Sequence, residues 1–115
     1  MHLTPDICER AYELLRVTKP FSGWQLPEAD EVEFRVGKSN KVYGGCGERS
    51  TGHLIELSAT MNTDLTTALQ TMAHEMIHLH QHMIGVRHER DGNHGRTFDA
   101  AAYKVCRENR WYRRF

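Results

Sequence analysis

The chain has 115 residues, with fifteen Lys+Arg against fifteen Asp+Glu, eight histidines and three cysteines. That length builds one domain around one core, and the balanced charge excludes a global field drawing it to nucleic acid or membrane, so any such attraction must come from a local patch. Cys8, Cys46 and Cys106 are widely spaced with no C-x-x-C pair, which speaks against a disulfide framework or zinc ribbon and fits reduced thiols.

The opening Met1-His2-Leu3-Thr4-Pro5 lacks the charged and apolar regions of a signal peptide, and no apolar run reaches membrane-spanning length. We therefore expect a cytoplasmic protein with no membrane partner. Thr4-Pro5-Asp6 is a helix start: a capping hydroxyl, proline at the first helical position, then an acid. Ile7, Ala11, Leu14 and Leu15 give that helix a buried face, and it should stop before Lys19-Pro20. Trp24, in the loop that follows, is expected to cover the core rather than touch a substrate.

The hydrophobic period then changes. Val32, Phe34 and Val36 alternate with charged residues, as in a half-buried strand. A turn at 37–40 leads to a second strand over 41–46, where Gly44 and Gly45 mark a bulge or a close backbone approach. A third strand covers 53–58. We expect the three to form an antiparallel sheet between helices, an α+β domain without repeats or internal linkers.

Residues 63–83 read as one helix, with Leu65, Leu69, Met72, Met76, Leu79 and Met83 on a core-facing stripe. Asn62 or Thr63 can cap its start, Asp64 suits its positive end, and Gly85 can end it. His74 and His78 point about 140–180° away from the stripe's centre and lie one turn apart on the same face. With Glu75 between them they form H-E-x-x-H, in which two imidazoles can meet on one zinc ion beside a carboxylate able to move protons. After the polar loop 85–93 a last helix runs from about 97 to 109, with Phe98, Ala102 and Val105 inward.

A catalytic zinc takes three protein ligands and keeps a fourth position open. The candidates for the third are His82, His88, Glu89, His94 and Asp99. Three ligands along one straight helix spread too far to close round one ion, which disfavours His82. His88 and Glu89 read more simply as solvated loop side chains. His94 follows a loop long enough to fold back, with Gly92 and Gly95 giving backbone freedom on either side. Glu89 or Asp99 would be the third ligand in other branches of this chemistry.

The run His74-Glu75-Met76-Ile77-His78 followed by Gly92-Asn93-His94-Gly95-Arg96-Thr97-Phe98 resembles the SprT-like (Spartan-type) zinc metalloproteases. In that family the HExxH motif is followed by H-G-x-x-F, whose histidine is the third ligand. The resemblance makes His74, His78 and His94 the zinc ligands and Glu75 the catalytic general base, with Gly95 and Phe98 completing the second motif. Tyr43-Gly44-Gly45-Cys46 and the strand over 54–58 are similar to the family's glycine-containing strand and its x-I-x-L-S strand, so the likeness covers roughly residues 30 to 105. The cysteine-rich, DNA-contacting zinc region that follows in many members has no counterpart in these 115 residues.

What the resemblance implies is a zincin-like (minigluzincin-type) single α+β domain over 1–115: an N-terminal helix, a three-stranded antiparallel sheet, an active-site helix and a C-terminal helix. Its core spans about 30–109, and a basic, aromatic end covers 107–115. It also implies a monomeric, Zn²⁺-dependent endopeptidase that cleaves proteins bound or crosslinked to DNA. The compartment would be the cytoplasm of a bacterial or phage-infected cell, or the nucleus of a eukaryote. Protonation of the histidines should release the metal, so activity should fall below about pH 6.

Tyr43, Tyr103 and Tyr112 are candidates for oxyanion stabilisation, and Asp91 and Asp99 for supporting the ligands. The strand over 54–58 could take an extended substrate if it lies at the sheet edge. For DNA, Arg107, Arg110, Arg113 and Arg114 offer phosphate contacts, and Trp111, Tyr112 and Phe115 offer stacking. The plainer reading has those arginines complement a helix C-terminus while the aromatics pack on the domain. The alternative function is a non-catalytic, zinc-stabilised DNA-binding or adaptor module, against which Glu75 argues, since a structural site has no use for a non-ligating carboxylate.

Overall fold

A computed structural model describes residues 1–50, 52–86 and 95–111, the side chain of Arg49 excepted. Helix α1 spans Pro5–Arg16, strands β1, β2 and β3 span Val32–Gly37, Gly44–Arg49 and Gly52–Ser58, and helices α2 and α3 span Leu65–Met83 and Arg96–Asn109. The architecture is α+β: one three-stranded sheet with α1 and α2 packed against it and α3 against α2.

Thr4 caps α1, its Oγ1 accepting from the Ile7 N–H. The helix buries Cys8, Ala11, Tyr12 and Leu15, whereas Leu14, expected inside, is 57% exposed. Leu14 lies about 100° from Leu15 around the helix, and Tyr12 takes the place of a further aliphatic. Tyr12 has no exposed surface, sits 5.4 Å from the Phe34 ring, and donates its hydroxyl to the Pro27 carbonyl at 2.6 Å. Trp24 covers the core as expected, edge-on to Phe21 and stacked on His80.

The sheet is mixed, which corrects the antiparallel expectation. Its order is β1-β3-β2, with β3 parallel to β1 and antiparallel to β2. The expectation failed because it let sequential strands pair. Instead the connection 38–43 passes over the end of β3: the Ser58 N–H donates to the Tyr43 carbonyl, the Ala59 N–H to the Gly37 carbonyl, and the Ser58 hydroxyl to the Ser39 carbonyl. Burial decides the order. Ile55 and Leu57 of β3 are wholly inside, so the most apolar strand takes the centre and glycine-rich β2 is left at an edge. Strand β2 also starts later than expected, because the Lys41 and Val42 N–H groups are held by the Ser39 hydroxyl in a turn.

Helix α2 starts at Leu65 because Asp64 is the cap, its Oδ1 accepting from the Thr67 N–H at 2.8 Å. Leu65 itself is 55% exposed, outside the stripe's buried part. The chain leaves α2 through Gly85 at φ +77°, a left-handed conformation suited to glycine. Asn62, expected as a possible cap, is wholly buried and joins three elements. Its Nδ2 donates to the carbonyls of Tyr43 and Ser58, and its Oδ1 accepts from the Thr71 hydroxyl. This fixes the start of β2 against the middle of α2. Among the described residues no helix is long and apolar enough to cross a membrane.

Candidate metal centre

At about 100° per residue, Thr67, Gln70, Thr71, His74, Glu75, His78, Gln81 and His82 all fall on one side of α2, opposite Met72, Met76 and Leu79. The apolar side builds the core, where those three residues have no exposed surface. The polar side is covered in turn by β2 and by the first turn of α3, so Glu75 and His78 are buried although they belong to the polar stripe.

The His74 and His78 rings lie edge to face with centroids 4.9 Å apart. Phe98 of α3 packs against both, at 5.0 Å from His74 and stacked at 4.6 Å on His78. Gln81 Nε2 donates to the Thr97 hydroxyl beside it at 3.2 Å, fixing the start of α3 on α2. The second motif therefore contributes a buried aromatic plate that limits how the two imidazoles can turn.

Glu75 is 4% exposed and faces β2. A Cβ at Gly44 would lie 2.8 Å from the Glu56 backbone oxygen, 3.0 Å from Thr71 Cγ2 and 3.3 Å from Glu75 Oε2. The strand approaches the helix this closely because position 44 has no side chain. Burial pushes the Glu75 carboxyl up from 4.5 to about 8. Burial, then the nearby Glu75 and Glu48 charges, push the Cys46 thiol up to about 12, so in the metal-free protein Cys46 is a neutral part of the wall.

Two cavities meet at Gly44, His74 and Glu75. The smaller, about 220 Å³, adds Gly45, Cys46, His78 and His82. The larger, about 640 Å³, runs towards the start of α2 past Tyr43, Met61, Gln70 and Thr71. The small cavity has the donor chemistry of a metal pocket: two imidazoles one helical turn apart, an adjacent carboxylate and a polar lining.

A catalytic zinc there would need a third protein donor, and His94 lies outside the described residues, as do His88, Glu89 and Asp91. Among the described residues no three of His, Cys, Asp or Glu are placed to hold a metal, and His82 does not complete a set with His74 and His78. His82 lies instead 4.0 Å from Glu48. Asp99 is exposed in the first turn of α3. The described residues fit a metal as a two-imidazole half-site with a neighbouring carboxyl.

Of the candidate oxyanion tyrosines, Tyr43 lines the larger cavity, whereas Tyr103 lines neither and has the Arg107 guanidinium 5.8 Å over its ring. Tyr112, Arg113, Arg114 and Phe115 lie outside the described residues. Arg110 is exposed at the left-handed cap of α3, and Trp111 is half-buried against the core with its N–H on the Cys106 carbonyl. Packing thus accounts for Trp111, while Arg107 and Arg110 remain available at the surface. Gln70 and Thr71 escaped the sequence reading, although polar residues four and three positions before His74 on the same face were a usable signal, and Asn62 was read only as a cap.

A sequence model of the SprT-like family matches residues 12–112, which adds the C-terminal part of α1 and the end of α3 to the stretch the motifs suggested. No curated protein matches the chain. The chain belongs to the SprT-like family, which is generally associated with metallopeptidases.

Proposed function

We propose that this SprT-like chain is a zinc-dependent endopeptidase acting on proteins bound or crosslinked to DNA. The observation that carries the reading is Glu75, a buried carboxyl in the wall shared by the two cavities, beside two imidazoles presented one turn apart. His74, His78 and His94 would hold the ion. When bound, zinc supplies Lewis acidity for the scissile carbonyl and for water.

Glu75 does the proton work. In its ionised form Glu75, whose proton affinity burial raises, can take a proton from the attacking water and return it to the leaving amide nitrogen. Phe98 holds the imidazoles in orientation, and Tyr43 stands at the larger cavity as the candidate donor to the developing oxyanion. Both neighbours of β3 are filled, so the strand over 54–58 cannot accept a further strand. Edge strand β2, which borders both cavities through Gly44, takes that role: an extended substrate would pair with it and cross the site. DNA engagement would fall to Arg107 and Arg110, with Arg113 and Arg114 beyond them.

The test is cleavage of a DNA-bound protein by the zinc-loaded chain and by Glu75→Gln, with and without single-stranded DNA. The proposal expects Glu75→Gln to keep its zinc and lose cleavage. If the wild-type chain binds zinc and cuts nothing, the adaptor reading takes its place.

A further inference from the structure

Gln70 is 9% exposed and lines the larger cavity, where its carboxamide makes no hydrogen bond to a described residue and is open to the cavity rather than sealed in the core. An amide placed this way can offer both a donor and an acceptor to whatever fills the cavity. Its neighbours on the same wall are committed: the Thr67 hydroxyl donates to Asp64 Oδ2 at 3.2 Å, and the Thr71 hydroxyl to Asn62 Oδ1 at 2.6 Å. Gln70 lines the 640 Å³ cavity one turn before His74, where that cavity leads away from Glu75. The remaining walls are apolar or hydroxylic, including Val42, Tyr43 and Met61, and the lining contains no lysine or arginine.

Building on the endopeptidase reading above, we propose that this cavity is a substrate subsite for a long, uncharged side chain. Gln70 is its specificity-determining residue, hydrogen-bonding the side chain's neutral polar end. The apolar stem of such a side chain lies against Val42, Tyr43 and Met61. A glutamine can exchange two hydrogen bonds with Gln70, donating one and accepting one. A glutamate of the same shape cannot do so. Its carboxylate would meet Val42, Tyr43, Met61 and the Gln70 amide in a stretch with no lysine or arginine, at a desolvation cost those neutral groups do not offset.

The experiment uses peptides that differ only at the positions flanking the scissile bond, with Gln, Glu, Lys or Leu there. At one of these positions the wild type should cleave the Gln peptide at least about ten-fold better, in kcat/KM, than the Glu peptide. Gln70→Glu should move the preference to Lys, and Gln70→Ala, the fallback if that variant does not fold, should remove the advantage of Gln over Leu. An unchanged profile in the Gln70 variants, with cleavage intact, overturns the subsite and leaves the protease reading standing. Binding to the zinc-loaded Glu75→Gln chain reads the subsite without turnover: the Gln peptide should bind about ten-fold tighter than the Glu peptide, and equal affinities overturn the proposal whether or not the wild type cuts.

Discussion

Phe98 stacks on His78 with ring centroids 4.6 Å apart and planes 29° from parallel, joining the first turn of α3 to the histidine pair of α2. Core packing and the orientation of the histidine pair are therefore one problem here. Phe98→Ala should cost about 3–5 kcal/mol of stability through the cavity it leaves. Phe98→Leu should recover much of that stability and still weaken zinc binding, because an aliphatic side chain fills the volume without a flat face for the imidazole. Denaturant melts with zinc-competition titration on the folded variants check this. Zinc affinity equal to wild type in Phe98→Leu would limit Phe98 to filling space.

Gly44 and Gly45 are neighbours with opposite constraints. A methyl at 44 meets the backbone oxygen of Glu56 and the side chain of Thr71, whereas one at 45 meets nothing within 4 Å. Gly44→Ala should destabilise by about 1–3 kcal/mol as β2 is forced off α2, and activity should fall with it. Gly45→Ala should stay within about 0.5 kcal/mol of wild type. Urea denaturation of the two variants side by side makes the comparison.

Asn62 satisfies one hydroxyl and two carbonyls from three elements. Asn62→Ala leaves those groups buried without this partner and should cost about 2–4 kcal/mol. Thr71→Val in the Asn62→Ala background should then cost less than Thr71→Val alone, since the bond it removes is already gone. A double-mutant cycle by denaturation measures that coupling.

Glu75 gives the metal-free protein a pH dependence with a definite sign. Its carboxyl is raised from 4.5 to about 8 by burial, so the folded state favours the neutral acid. The stabilisation relative to an ionised group is complete below about pH 4.5 and is lost as pH rises towards 8. Metal-free Glu75→Gln should therefore gain on wild type across that window, by a few kcal/mol at pH 8 and little at pH 5. Chemical denaturation of the chelated proteins at the two pH values provides the test.

Much of this was legible in the residues because each signal was local. The Thr4-Pro5 start of α1, the inward Phe98, Ala102 and Val105 of α3, and the divided faces of α2 all follow from a period of 3.6 and familiar caps. What escaped depends on contacts distant in sequence. Strand order was set by the relative burial of β3 and β2 and by the 38–43 crossing, and alternation within a single strand carries neither. Tyr12, to which the sequence reading gave no role, is buried where Leu14 was expected, its hydroxyl on the Pro27 carbonyl fifteen residues away. At the site, the spacing of His74 and His78 was enough to put both rings on one face of α2, 4.9 Å apart. The need for glycine at 44 showed only once Glu56 and Thr71 lay beside it.

The central claim is that His74, His78 and His94 together hold a catalytic zinc. The most direct measurement is zinc bound per chain, by elemental analysis of purified wild type and of single alanine variants at the three positions. One zinc per wild-type chain, kept by Glu75→Gln and lost from His74→Ala, His78→Ala and His94→Ala, is the predicted result. A His94→Ala chain that retains a full equivalent of zinc would contradict it.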